Sequence, residues 1–366
     1  AVVPRFGTNY RLGASQYFVN EADEFNHNFW HYHPRVVVVT AIEFEHPEFY
    51  ADYESFLAAF EHFIRGMDTQ GAWPLPPTLI LNADSPGCLE LLRRLNGWHG
   101  QVVLYKTSDM QPLPNLPGLM TFAAYDIKLD GQTSFRVNTS GTAVAFSPDI
   151  EIHLALPGLH NIQNALAALT VAHLMGVDGA TMAKTLSSFS GIRRRFEIRH
   201  QGPLNLVGAS SEVVLIDDYA HHPTAIAATL EAARKRYPQH RLIAVYQPHM
   251  YSRTKTFFEQ FLSAFDAADV VFITDIFPAR ECDTGLVHAR ELVEAMQRRP
   301  RFSEGAAQAI YAGSVQNTTL LLTNVLRSGD IALIMGAGDI YTVTEQLLRN
   351  SAPTATETRN IHDIRA

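Results

Sequence analysis

The feature that most narrows what this chain can fold into is the alternation running from residue 212 to residue 335. Short runs of β-branched and aliphatic residues at 212–216, 241–246, 270–274 and 331–335 are separated by longer amphipathic stretches, among them 223–236, 254–265 and 290–297. Strands joined by helix-length connections pair in parallel, and the connecting helices cover the faces of the sheet. The pattern therefore predicts a Rossmann-like doubly wound α/β domain, with ligands met at the carboxyl ends of its strands. Pro223 suits the first position of its helix, where a missing N–H costs nothing.

The first half shows the same habit less regularly. Strands are expected at 16–19, 36–40, 78–81 and 101–105, and polar/apolar alternation between 121 and 156 reads as antiparallel ribbons. Helices are expected at 161–175 and 179–187. The polar, glycine-containing stretch 187–191 reads as a linker, which divides the chain into domains 1–190 and 191–366. The end, 351–366, is polar and expected to fray.

Composition excludes several classes. Lys+Arg 29 against Asp+Glu 37 gives a formal charge of −8, spread along the chain, which argues against nucleic acid or an anionic membrane as the main partner. No apolar run approaches the roughly 18 residues that span a bilayer, and no signal-peptide pattern opens the chain. Cys88 and Cys282 match no metal or redox spacing and read as thiols in a reducing cytoplasm.

Chemistry-bearing residues cluster at the expected strand and helix ends. Glu21, Asp23 and Glu24 follow the first expected strand and read either as oxygen ligands for Mg²⁺ or as a solvated acidic turn. Glu43, Glu45 and His46 follow the 36–40 run. Asn161 and Asn164 lie three apart at a helix start, so both amides share one face; they suit a purine edge or, for Asn161, a helix cap. Asp217-Asp218-Tyr219-Ala220-His221-His222-Pro223 stands between a strand and a helix, where carboxylates usually face ligands. Arg193-Arg194-Arg195 lies just past the linker, as a phosphate clamp or a solvated basic hinge. Weaker signals are the 246–254 stretch and Gly336-Ala337-Gly338-Asp339, each after a strand.

In order and spacing these clusters resemble the Mur ligases over nearly the whole chain. The marks are Glu-Ala-Asp-Glu at 21–24, His46, His-Asn-x-x-Asn at 160–164, Arg-Arg-Phe at 194–196 and Asp-Asp-Tyr-Ala-His-His-Pro at 217–223. Gln-Pro-His-x-Tyr-x-Arg-Thr at 247–254 and Gly-Ala-Gly-Asp at 336–339 make it most similar to the subtype that adds L-alanine to UDP-N-acetylmuramate. The nearby alternative is the recycling subtype that attaches a tripeptide. The subtypes that use a central carbamylated lysine fit poorly, because no lysine precedes Lys106.

The resemblance implies a central ATPase domain, incomplete at its start, followed by a Rossmann-like C-terminal domain. It implies a soluble cytoplasmic enzyme of peptidoglycan precursor synthesis that uses ATP and Mg²⁺. ATP phosphorylates the muramoyl carboxylate, and the amine of L-alanine then displaces phosphate. Glu21 and His46 would serve the Mg²⁺ and phosphate site, and His160, Asn161 and Asn164 the adenine. Arg195 would meet the transferring phosphate, and Asp218 the ribose or phosphate region. Tyr219 and His222 would lie beside the nucleotide, and His249 and Arg253 would hold the amino-acid carboxylate or acyl phosphate. Three departures stand out. No Gly-Lys-Ser/Thr phosphate loop or preceding UDP-binding domain is present in this sequence, Ala41 replaces the usual Asn, and Met250 replaces the usual Arg. This chain by itself is therefore expected to be inactive, either as part of the ligase or as a non-catalytic nucleotide-binding module.

Overall fold

The structure is a computed structural model that describes residues 2–71, 75–108, 112–130, 132–142, 145–206 and 209–351. The expected frayed end from 352 onward lies outside the described residues. The chain divides into two compact units, one spanning Pro4–Gly191 and the other running on from Ile192, with residues 2 and 3 joined to the second. No helix among the described residues is long and apolar enough to cross a membrane.

The first unit runs β1 (Val36–Val39), α1 (Tyr53–Arg65), β2 (Thr78–Asn82), α2 (Pro86–Arg94), β3 (Gln101–Lys106), β4 (Met120–Lys128), β5 (Thr133–Ser140), β6 (Glu151–Leu154), α3 (Leu159–Leu174) and α4 (Gly179–Ser187). Its sheet follows chain order from β1 to β6. β1 to β4 pair in parallel, and β4, β5 and β6 form the antiparallel ribbon that the 121–156 alternation predicts. The period of two along β2 divides its side chains between two cores. Leu79 and Leu81 pack with α1 and α2, while Ile80 packs with Val103, Tyr105 and α3. Asp52 starts α1 with a reciprocal capping box to Ser55.

One expected strand is absent. Residues 16–19 are not paired with any described strand, and Phe18 and Val19 are 87% and 91% exposed. β-propensity favours an extended backbone, but a strand exists only through its ladder, and β1 pairs with β2 alone.

The second unit contains β7 (Glu197–Leu206), β8 (Ala209–Asp218), α5 (Pro223–Arg236), β9 (Leu242–Tyr246), α6 (Tyr251–Thr256), α7 (Phe258–Ala264), β10 (Val270–Thr274), α8 (Ala289–Gln297), α9 (Pro300–Ser303), β11 (Gln308–Gly313), α10 (Val315–Val325), β12 (Asp330–Met335) and α11 (Thr342–Ser351). The sheet order is β11-β10-β9-β12-β8-β7. All neighbours are parallel except β7, which runs antiparallel to β8 at the edge. Every residue of β9, β10 and β12 is buried, as expected for strands covered on both faces. The helix expected at 254–265 is two helices, α6 and α7, meeting at Phe257. The last strand in sequence, β12, is inserted between β9 and β8. That insertion sets the carboxyl ends of three motif-bearing strands side by side.

Candidate functional site

The registers show how level those ends are. Asp218 on β8 is opposite Met335 on β12, and Met335 is opposite Tyr246 on β9. Three stretches therefore leave the same edge of the sheet together: Tyr219–His222, Gln247–Met250 and Gly336–Asp339.

The aspartates that end β8 face inward. Asp217 is fully buried, accepting from Arg199 Nη1 at 2.6 Å and from the Thr344 hydroxyl. Burial pushes its carboxyl up to about 6, against the opposing pull of Thr344 and Arg199. Asp218 is 5% exposed and accepts the N–H groups of Phe196 and Ala220, each at 2.7 Å. Burial raises its pKa as well, opposed by those two amides.

Arg194 and Arg195 behave differently from each other. The Arg194 guanidinium lies 5.0 Å from the Tyr219 ring and 4.9 Å from the Tyr341 ring, and it donates to the carbonyls of Gly336 and Gly338. It clamps the glycine loop to the start of the unit. Arg195 is exposed, with its guanidinium 5.3 Å from the same Tyr219 ring. Tyr219 is thus a platform under two cations, and its N–H donates to Arg194 O at 2.7 Å.

His249 and Arg253, four apart across the start of α6, are brought together: Arg253 Nη1 lies 3.2 Å from His249 Nδ1. The His249 ring stacks on Phe277 at 5.6 Å and lies 6.0 Å from the His221 ring. Arg253 is 2% exposed. His221 is pushed down to about 3, first by burial and then by the charge of Arg253, so it is neutral at physiological pH. His222 precedes Pro223 as the N-cap of α5, its ring 4.7 Å from Phe257. Met250, the departure from the usual Arg, is buried with φ of 69° and begins α6.

Gln247 and Asp339 were not singled out as site residues by sequence reasoning, although both stand in motifs. Gln247 Nε2 donates to Asp339 Oδ1 at 2.7 Å, and Gln247 Oε1 accepts from Ile340 N at 3.2 Å. A cleft of about 210 Å³ opens beside this pair, lined by Gln247, Thr274, Asp275, Phe277, Gln316 and Asp339 among others. Glu281, also missed, accepts the N–H groups of Tyr251 and Ser252 at the start of α6.

In the first unit the two acidic clusters meet through Glu24 rather than Glu21. His46 Nε2 lies 3.5 Å from Glu24 Oε1, and its Nδ1 lies 3.1 Å from Glu48 Oε1. Burial opposes protonation of His46, but the hydrogen bonds to Glu24 and Glu48 and the charge of Glu45 outweigh it and raise its pKa to about 9. Glu21 is exposed. Among the described residues no group of three or more His, Cys, Asp or Glu side chains is placed to hold a metal ion.

At the start of α3, Gly158 has φ of 99° and provides no side-chain cap. Asn161 Nδ2 donates to Pro157 O at 2.7 Å and lies 3.1 Å from His160 Nε2, while Asn164 is exposed. One amide of the pair therefore braces its own turn, and the other faces out.

Known proteins share this architecture. Residues 4–172 match the family model described as Mur ligase middle domain, and residues 194–338 match Mur ligase, glutamate ligase domain. The UDP-N-acetylmuramate–L-alanine ligase of Caldanaerobacter subterraneus subsp. tengcongensis is 33% identical over 95% of this chain and 68% of its own length. The ligase of the same name from Alkaliphilus metalliredigens is 35% identical over 93% of this chain and 66% of its own length. This chain thus spans about two thirds of the length of the curated relatives it matches. The crystal structure of UDP-N-acetylmuramate-alanine ligase from Thermotoga maritima superposes with a TM-score of 0.63 at 20% identity, covering 88% of this chain and 61% of that one, which establishes the shared fold.

Proposed function

Because the chain belongs to the Mur ligase family, we propose that it is the nucleotide- and amino-acid-handling part of an ATP-dependent ligase of peptidoglycan precursor synthesis, one that adds L-alanine to UDP-N-acetylmuramate. The observation that carries this reading is the meeting of the Asp217–His222, Gln247–Arg253 and Gly336–Asp339 stretches at adjacent strand ends. Relatives bearing that name support the choice of L-alanine.

In the reaction this implies, ATP phosphorylates the muramoyl carboxylate and the neutral amine of L-alanine displaces phosphate. The chain's part is to neutralise charge on the phosphoryl oxygens and to hold the amine in line. Arg195, exposed over Tyr219, is the group for a transferring phosphate. Arg253 and His249, already within 3.2 Å of each other, would bind a carboxylate or acyl phosphate from two sides. Asn164, with Asn161 and His160 beside it, would read the adenine edge. In the second unit, Tyr219 and His222 would lie beside a nucleotide. A contact of Asp218 with the ribose or phosphate would compete with its two amide bonds, so we assign it to positioning Arg195.

The described residues do not fit a resident metal at Glu21 and His46. Glu21 is exposed, His46 pairs with Glu24 and Glu48 instead, and among the described residues no group of three or more such side chains is placed to hold a metal ion. No metal-dependent step is assigned to this arrangement. We place the protein in the cytoplasm, where Cys88 and Cys282, both free, stay reduced.

The sequence contains no Gly-Lys-Ser/Thr loop to cradle the β- and γ-phosphates. The test is phosphate release from ATP-Mg with UDP-N-acetylmuramate and L-alanine, run beside ADP binding and an intact-mass measurement. The expected outcome for a chain of 40.7 kDa is ADP binding with no alanine-dependent release. Release with L-alanine overturns the expected inactivity, release with a tripeptide alone identifies the recycling subtype, and failure to bind ADP sinks the reading.

A further inference from the structure

One run of hydrogen bonds in the first unit ties the carboxyl ends of β1, β2 and β3 to the start of α3. Asn82 Nδ2 donates to Thr40 O at 3.0 Å, and Asp84 N donates to Asn82 Oδ1 at 3.0 Å. The Asp84 carboxylate then gathers donors from two further elements. Its Oδ2 accepts Thr107 N at 2.6 Å, Thr107 Oγ1 at 2.7 Å and Gln163 Nε2 at 3.2 Å, and its Oδ1 accepts Ser108 Oγ at 2.8 Å. Gln163 Nε2 is also 3.4 Å from Thr107 Oγ1.

Gln163 stands between Asn161 and Asn164. The helix it belongs to begins at a glycine with no side-chain cap, so its first turn lacks the usual local anchor. Asn161 stays within that turn, donating to Pro157 O and lying 3.1 Å from His160 Nε2. A tie from the first turns of α3 to the strand ends runs from Gln163 Nε2 to the Asp84 carboxylate at 3.2 Å, the long end of the N–H···O range.

We propose that Asp84 is a positioning residue for base recognition: acting through Gln163, it fixes the rotation of the α3 start so that Asn164 presents its amide to a purine edge, while Asn161 braces the same turn on Pro157 O. This rests on the reading that the start of α3 takes the adenine. Asp84 touches no nucleotide itself; its effect is on selectivity between bases.

The experiment is calorimetric titration of the full chain with ADP and with GDP. The native chain is expected to prefer ADP. Asp84→Ala is expected to cut the ADP/GDP affinity ratio at least fivefold. Asp84→Asn is expected to keep the ratio, since its amide oxygen can accept the Thr107 and Gln163 donors while its NH₂ donates to Ser108. Gln163→Ala, which preserves helix propensity, is expected to cut the ratio as Asp84→Ala does, and it carries the test if Asp84→Ala does not fold. A merely structural role lowers the folded fraction, weakens both nucleotides alike and leaves the ratio unmoved; that result overturns the proposal. A native chain without base preference overturns the adenine reading and this proposal with it. Loss of preference in Asn164→Ala but in neither Asp84→Ala nor Gln163→Ala leaves the adenine reading standing and overturns only the positioning role.

Discussion

The Asp218 carboxylate accepts the backbone N–H of Phe196 at 2.7 Å, tying the end of β8 to the turn that carries Arg194 and Arg195. Its other oxygen accepts Ala220 N, so both oxygens are occupied by backbone within the fold. Asp218→Ala leaves two buried amides without an acceptor. At about 1–3 kcal/mol each, it is expected to destabilise the protein by about 2–6 kcal/mol, read as a lowered urea midpoint. An unchanged midpoint with lost ADP binding would instead place Asp218 against the ligand.

The two neighbouring arginines are expected to separate stability from binding. Arg194→Ala removes the clamp on Gly336 and Gly338 and two ring contacts, at a cost of about 1–3 kcal/mol. Arg195→Ala, on an exposed side chain, should leave the midpoint within about 0.5 kcal/mol of native. It is expected to weaken binding of a non-hydrolysable ATP analogue, which keeps the γ-phosphate, more than binding of ADP. If both variants lose stability equally, Arg195 has no separate role.

Gly338 allows the close approach of Gln247 and Phe277. A Cβ at this position would meet Gln247 Oε1 at 2.4 Å and the Phe277 ring at 2.6 Å. Gly338→Ala is therefore expected to displace Gln247 from Asp339 and to cost about 1–3 kcal/mol. Thermal unfolding checks it, and a native-like melting temperature would show that the loop has slack.

His221 gives the acid limb of stability a definite sign. Its folded pKa is depressed to about 3 by burial and by Arg253, with His249 and Arg195 adding to it and Tyr219 O opposing. The unfolded state then binds the proton more readily. Stability from this group is complete above about pH 6.5 and falls as pH drops toward 3. Asp217 works in the opposite sense, since its pKa raised to about 6 makes protonation favour the folded state. The His221 contribution therefore appears as a difference between native and His221→Gln chains. The variant should lose about 3 kcal/mol less than native between pH 6.5 and 4 in urea unfolding. Parallel curves would show that the histidine does not titrate this way.

Much of the architecture was legible because local pattern and burial agree. The β-branched runs of β8, β9, β10 and β12 announced themselves, and helix α5 began at Pro223 as its fixed φ predicts. Edge elements were harder to see. β7 lacks a continuous apolar run, and the apolar run of β11 is only four residues, Ala309 to Ala312. Residues 16–19 have the composition of a strand without a partner. At the candidate site, the motifs pointed to strand ends that the fold sets side by side, but not to which side chains turn outward. Asp218 and Asn161 turn to backbone groups, whereas Arg195 and Asn164 face outward.

What the sequence determined by itself is periodicity and punctuation: which segments are buried strands, where helices begin, and that chemistry-bearing residues gather after strands. These depend on neighbours a few residues away. Only the tertiary structure decided that β12 enters between β9 and β8, that Gln247 meets Asp339, and that Asp84 reaches Gln163. Each of those pairings joins residues far apart along the chain. Their partners are selected by the packing of the whole sheet and by the need of buried polar groups to find hydrogen bonds, which no local window of sequence contains.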